Sequence, residues 1–241
     1  MGKVIAIDGP SGAGKSTVAK LIAKELGFDY LDTGALYRTV ALALREKSIE
    51  PDDQDEKIIE ALKDITVTFK GGRVFLKDAS CLPGLAPRSE AGTPHDSRSN
   101  GRDVSEDIRS TEIDHYSSAF SARKIVRDFL LDAQRNTAFK NDLVIEGRDT
   151  ATVVFPDAWK KIYLDASLDE RAKRRYLQFR EKGIDISMDE SRKNVIDRDV
   201  RDTNRDIAPL KRASNAFLID SSNLSIEQVM GKILEFIKAK P

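Results

Sequence analysis

The chain has 241 residues and a single cysteine, Cys81, so no internal disulfide can hold it together. It also lacks any apolar run near the roughly 20 residues that cross a bilayer, because Asp, Arg or Lys interrupts every candidate. The N-terminus, Met1-Gly2-Lys3-Val4-Ile5, has neither the charged lead nor the long apolar stretch of an export signal. These absences predict a soluble, cytoplasmic protein. Charge of one sign is missing as well, since 40 Lys and Arg stand against 40 Asp and Glu. No bulk positive field exists for nucleic acid or an acidic membrane, so neither is expected as a partner and any basic site must be local. Histidine is scarce, and His95 and His115 show no spacing to other ligand types that suggests a metal centre.

What is present is an alternation of strand and helix patterns. Residues 3–7 form a short apolar run, followed by a Gly/Ser/Pro loop and then Val18, Leu21, Ile22 and Leu26 at helical spacing, with Gly27 as a stop. A strand over 28–31 and a helix over 35–47, with Leu36, Val40, Ala43 and Leu44 inward, continue the rhythm. Between residues 65 and 76 the period changes to two around Gly71-Gly72, which predicts a β-hairpin. Residues 77–99 are rich in Pro, Ser, Gly and Ala without periodicity, and a mobile loop is expected there. Beyond it the pattern predicts a helix over 117–139, strands over 143–146 and 161–164, and charged helices over 169–182 and 188–201 separated by Gly183. A strand over 216–220 and a final helix capped by Ser225, with Gln228 three residues on, close the chain. The fold class is therefore α/β, a parallel sheet covered by helices on both sides.

The chemistry is concentrated first in Gly9-Pro10-Ser11-Gly12-Ala13-Gly14-Lys15-Ser16-Thr17. It fits the spacing G-x-x-x-x-G-K-[ST] and lies between an apolar strand and an amphipathic helix. Glycines let the backbone wrap a polyphosphate, N–H groups at the helix start face its oxygens, and Lys15 spans the outer phosphates. Ser16 supplies a hydroxyl to Mg²⁺. This loop serves switches, pumps and kinases alike. A GTPase would carry an Asn/Thr-Lys-x-Asp element near its last strands, and none is present. A motor ATPase usually has a strand ending in Asp-Glu, whereas Leu143-Val144-Ile145-Glu146 runs into Gly147-Arg148-Asp149. That favours a small-molecule site at the strand's carboxyl end.

A second basic set distinguishes a transferase from a passive nucleotide-binding module. Arg198, Arg201 and Arg205 recur at spacings of three and four and share one face of a continuing helix. Interleaved Asp199 and Asp202 equally suit a solvated, salt-bridged helix. Beside a phosphate loop, the arginines suit a closing lid that neutralises two anionic substrates.

With these pieces, the chain resembles the bacterial cytidylate kinase family over nearly its whole length. The resemblance is carried by 7–15, by Leu31 through Arg38, by Asn100 through Ser105, by Glu146 through Asp149, by Thr152 through Asp157, and by Arg198 through Leu210. It implies a P-loop NTPase-type core over 1–64 and 141–241, an inserted nucleoside-monophosphate subdomain at about 65–140, and a helical lid at about 168–206. It implies γ-phosphoryl transfer from ATP, with Mg²⁺, to CMP or dCMP, by a monomer. Carried over residue by residue, Arg38, Arg148 and Arg205 look like ligands of the CMP phosphate, with Arg198 in the transfer zone. Thr33, Tyr37 and Asp202 look like contacts to the sugar side, and Ser118, Arg127 and Asp149 like readers of cytosine. Two departures stand out. About 20 residues separate the hairpin from the Asn100 segment, where the family passes almost directly. Thr150-Ala151 replaces the family's Met-Gly, so a turn relying on that glycine at positive φ must differ here.

Overall fold

A computed structural model describes residues 2–79, 101–138 and 141–239. In chain order the elements are β1 (Val4–Asp8), α1 (Lys15–Leu26), β2 (Asp29–Asp32), α2 (Thr33–Glu46), α3 (Asp55–Lys63), β3 (Ile65–Lys70), β4 (Arg73–Asp78), β5 (Arg102–Asp103), α4 (Thr111–Phe120), α5 (Lys124–Thr137), β6 (Leu143–Gly147), β7 (Lys160–Asp165), α6 (Leu168–Glu181), α7 (Met188–Asn204), β8 (Phe217–Asp220) and α8 (Ile226–Lys238). The chain divides into two compact units, one from residues 1–33 with 134–241, the other from 34–133.

The first unit is built on a five-stranded sheet in the order β2-β6-β1-β7-β8, every pair parallel. β1 and β6 are buried along their whole length, as strands covered on both faces must be, which explains their apolar runs over residues 4–7 and 143–145. Ile5, Ile7, Val144, Ile162 and Ile219 from the sheet pack with Val18 and Ile22 of α1 and with Val229 and Ile233 of α8. Central β1 sets Asp8 opposite Gly147 of β6 and Tyr163 of β7, so the carboxyl ends of three strands meet at one edge. Such an edge is where open parallel sheets hold ligands. Gly27 ends α1 in the left-handed conformation, and α8 begins with a complete Ser225–Gln228 capping box, both as expected.

The second unit contains the expected hairpin, β3 and β4, extended by β5 into a three-stranded antiparallel sheet. Gly71 and Gly72 both take positive φ, the conformation that a two-residue hairpin turn demands. The helix expected over 117–139 is instead two helices, α4 and α5. The break has a local cause. The Ser121 hydroxyl turns back to the Ser118 carbonyl at 2.9 Å, while Ala122 and Arg123 donate to carbonyls only three residues earlier, tightening and ending the helix. α4 starts six residues before the expected boundary because Ser110 caps it, accepting from the Ile113 N–H. Helix α3 was not expected; only Ile58 and Leu62 are buried, too sparse a stripe to register as a period. Of the mobile loop expected at 77–99, residues 77 and 78 belong to β4 and 80–99 lie outside the described residues, with Cys81 and His95. Among the described residues, no helix is long and apolar enough to cross a membrane.

Candidate active site

The phosphate loop leaves β1 at Asp8 and enters α1 at Lys15. Close approach explains its glycines. A Cβ on Gly9 would lie 1.9 Å from the Leu164 carbonyl oxygen, and one on Gly12 would lie 2.8 Å from that of Arg171. Gly14 caps α1 at φ 92°, where a side chain is strained, leaving the first N–H groups of the helix open toward the loop. Lys15 is buried and donates from Nζ to the Pro10 carbonyl at 2.6 Å. Burial pushes its ammonium down to about 7, helped by Arg148 and Arg198 and opposed by Glu146 and Asp202. Ser16 and Thr17, just inside the helix, are exposed.

Glu146 at the end of β6 is buried beneath this lysine. Burial raises its carboxyl, with Asp32 adding like-charge repulsion, while Lys15 and hydrogen bonds from Ser16 and Tyr30 pull the other way. The Tyr30 hydroxyl donates to Oε1 at 2.6 Å. Thr33 is buried and donates from Oγ1 to the Glu146 carbonyl at 2.7 Å, pinning the strand end.

Four of the expected residues converge beyond β6. Arg148 donates from Nε to Asp202 Oδ2 at 2.7 Å, and Arg205 pairs with Asp149 at 3.3 Å with both side chains almost fully enclosed. Burial alone would raise Asp202, but Arg148, Arg198 and Arg205 together prevail and hold its carboxyl below the usual aspartate range. The interleaved acids and bases of α7 thus do not form an isolated solvated face. Asp202 is buried, Arg205 turns back to the Ala208 carbonyl at 2.7 Å, and Arg201 points outward as an exposed residue.

Helices α6 and α7 supply residues that local pattern does not single out. The Ser11 N–H donates to Asp199 Oδ1 at 3.0 Å. Arg171 of α6 pairs with the same carboxylate and donates to the Ser11 carbonyl at 3.1 Å. A carboxylate of α7 therefore accepts from a loop N–H, the kind of group that an anionic oxygen also meets at such a loop. Arg174, one turn further along α6, donates to the Ala13 carbonyl at 3.3 Å and to the Ser221 carbonyl at 2.9 Å, tying the loop to the end of β8. The i, i+3 spacing of Arg171 and Arg174 was visible, but it is indistinguishable from a surface charge pattern.

Thr150–Val154 form one wide turn after Asp149. Neither Thr150 nor Ala151 takes positive φ, so the turn is made without the glycine conformation. Asp8 holds it instead, accepting from the Thr150 N–H at 3.0 Å, the Thr150 hydroxyl at 2.6 Å and the Ala151 N–H at 2.8 Å.

The other four expected residues lie in the second unit. Arg127 is buried, donates to the Ser121 carbonyl at 3.2 Å and lies over the Tyr37 ring at 5.5 Å from its centre. Tyr37 and Ser118 are also buried, and Arg38 stands 4.0 Å from Asp114. Three side chains, one basic, one aromatic and one hydroxyl, are thus held inside the unit.

Comparison with known proteins matches the sequence to one family. The sequence model described as cytidylate kinase matches residues 5–239. A curated cytidylate kinase of Thermodesulfovibrio yellowstonii is 48% identical, with 98% of this chain and 97% of that one covered. One of Thermosipho melanesiensis is 44% identical over 98% and 97%, and one of Geobacter sulfurreducens is 43% identical over 99% and 94%. Among solved structures, an uncharacterized protein from Eubacterium ventriosum superposes with a TM-score of 0.51, covering 99% of each chain at 12% identity, a likeness of fold.

Proposed function

We propose, on the premise that this chain belongs to the cytidylate kinase family, that it moves the γ-phosphoryl group of ATP onto CMP or dCMP by direct in-line displacement, giving ADP and CDP or dCDP. The observation that carries the reading is the cluster at the sheet edge, where buried Lys15 shares its surroundings with Arg148, Arg198 and Asp202. An acceptor-phosphate oxygen attacks Pγ as the bond from Pγ to the β,γ-bridging oxygen breaks, and the electron pair leaves with ADP. No general base is needed, because the acceptor phosphate is already an oxyanion at neutral pH.

Residues 9–17 take the ATP phosphates, with Lys15 on the outer ones, where its cationic form matters most as charge spreads over the transferred oxygens. Arg38, Arg148 and Arg205 hold the acceptor phosphate and Arg198 reaches the migrating group. Thr33, Tyr37 and Asp202 attend the sugar, and Ser118, Arg127 and Asp149 the base. Residues 168–206 act as the lid that excludes water, 65–140 as the substrate-side insertion, and the remainder as the core.

The donor set near α1 fits a hard divalent cation. The Ser16 hydroxyl bonds the buried Glu146 carboxylate, whose charge burial and Asp32 both disfavour without a cation. Ser16 would hold Mg²⁺ together with ATP phosphate oxygens, and Glu146 would orient Ser16. When bound, the ion withdraws charge from the β- and γ-phosphoryl oxygens. Balanced overall charge supports small-molecule partners alone, and the reading takes the enzyme as a cytoplasmic monomer.

Base selection tests the assignment. Cytosine presents an amino donor at C4 beside acceptors at N3 and O2, whereas uracil inverts the first two. An ionised Asp149 accepts from the amino group, and Arg127 donates to N3 or O2. CMP is therefore preferred over UMP by at least about 100-fold in kcat/KM, and Asp149→Asn shrinks that ratio by costing CMP more than UMP. Equal use of both by the wild type, or an unchanged ratio in the variant, removes Asp149 from base reading.

A further inference from the structure

We infer that Asp8 and Thr150 form a positioning pair for the acceptor side of the site, with the Asp8 carboxylate capping the turn that presents Asp149 and the Thr150 hydroxyl fixing that carboxylate. The inference rests on the proposed role of Asp149.

The turn over Thr150–Val154 begins like a helix, with N–H groups that have no partner within the turn. A helix ordinarily meets that need with a side chain at the residue before it. Here that residue is Asp149, and its side chain makes no such cap. One of its oxygens faces Arg205 instead. The cap comes from 142 and 143 residues away, with both Asp8 oxygens engaged by the N–H groups of Thr150 and Ala151. The Asp149 side chain thus has no capping duty in the turn and pairs with Arg205 instead. Behind it, the Thr152, Val153 and Val154 N–H groups all converge on the Asp149 carbonyl, so the position of this one residue depends on how firmly the turn is held.

The Thr150 hydroxyl adds the shortest bond of the group, 2.6 Å to Asp8 Oδ1, between two side chains of which about 1% is exposed. Burial drives the Asp8 carboxyl upward, and this hydroxyl is the first of the bonds that oppose it. Hydrogen bonds to buried charge are among the strong ones, and removing one unsettles the remaining acceptor. Space is as tight as polarity. A Cβ on Gly147 would meet Thr150 Cγ2 at 2.6 Å and Thr33 Oγ1 at 2.7 Å, so the turn has little room to drift without disturbing Thr33.

The pair acts selectively because the phosphate loop does not depend on it. The Asp8 backbone is held by ladder pairing to Gly147 and Tyr163 whatever its side chain does, and Gly9 follows from that backbone. Loss of the hydroxyl thus loosens the acceptor side and leaves the ATP side in place.

The test compares Thr150→Val, which keeps the branched shape and removes only the hydroxyl, with Thr150→Ser, which keeps the hydroxyl. Steady-state rates with CMP and with UMP, the KM for ATP and the thermal midpoint are measured for all three proteins. Expected for Thr150→Val are a roughly tenfold loss of kcat/KM for CMP, a shrunken CMP/UMP ratio and a KM for ATP within twofold of wild type, with Thr150→Ser within about threefold of wild type throughout. A Thr150→Val enzyme whose CMP/UMP ratio is unchanged overturns the inference, even if its midpoint falls, because that is the behaviour of a purely structural bond. A Thr150→Ser enzyme as impaired as Thr150→Val overturns it too. Failure of the underlying reading looks different: the wild type itself then fails to prefer CMP.

Discussion

Lys15 provides a prediction whose size follows from its surroundings. Its ammonium is pushed down to about 7 by burial and by the neighbouring Arg148 and Arg198. An ordinary lysine, as in the unfolded chain, titrates near 10.4, and polyphosphate beside Lys15 restores the charged form. At pH 8 the free site is then about nine-tenths deprotonated, so binding of ATP takes up about 0.9 proton per site; at pH 6 it takes up about 0.1. The sign is fixed by the direction of the shift: a pKa lowered in the free protein and raised in the complex means uptake, and affinity falls as pH rises. From a half-charged lysine at pH 7 to about 1% charged at pH 9, ATP affinity drops by roughly fiftyfold, up to tenfold per pH unit. Calorimetric titration with Mg-ATP at pH 8, in two buffers of different ionisation enthalpy, reads the proton number directly. ATP is itself fully ionised at that pH, and Lys15→Arg, which cannot deprotonate, subtracts contributions from Glu146 and other groups. Uptake near zero in the wild type, or the same uptake in Lys15→Arg, would refute the combination of a depressed lysine and its contact with phosphate.

Two further outcomes follow from packing. Gly9→Ala forces a Cβ to 1.9 Å from the Leu164 carbonyl, where backbone must move, so a loss of at least about 1–3 kcal/mol and a thermal midpoint lower by several degrees are expected together with weakened ATP binding; a midpoint within one degree of wild type would contradict the close approach. Ser225→Ala removes the side-chain half of the capping box of α8 and costs about 1 kcal/mol by chemical denaturation with kcat unchanged; a loss of activity at unchanged stability would mean that Ser225 acts somewhere other than the helix start.

The parts of the fold that could be read from the sequence are those whose cause is local. The strand, loop and helix over residues 4–26 are encoded by an apolar run, glycines at the turns and a 3.6-residue stripe, and the hairpin by alternation around two glycines that must take positive φ. Where the cause lay elsewhere, pattern failed or stayed ambiguous. α6 and α7 bury only a handful of side chains, Ala172 and Phe179 in one and Ser191, Val195 and Asp202 in the other, and more than half of each sequence is charged. A charged helix of that kind is as consistent with solvent as with a packed contact. What separates the two is the partner 188 residues away, Ser11, whose N–H takes the Asp199 carboxylate, and the Ala13 carbonyl that takes Arg174. The wide turn at 150–154 fails in the same way. Its capping group sits on another strand, and Thr150 in isolation reads as an ordinary β-branched residue. Periodicity reports which face of an element is apolar; it carries no information about which polar side chain on the other face meets a charge across the sheet edge. An active site made of such meetings is legible in sequence only where a spacing rule ties its members together, as in 9–16, and elsewhere only through resemblance to chains in which the same meetings occur.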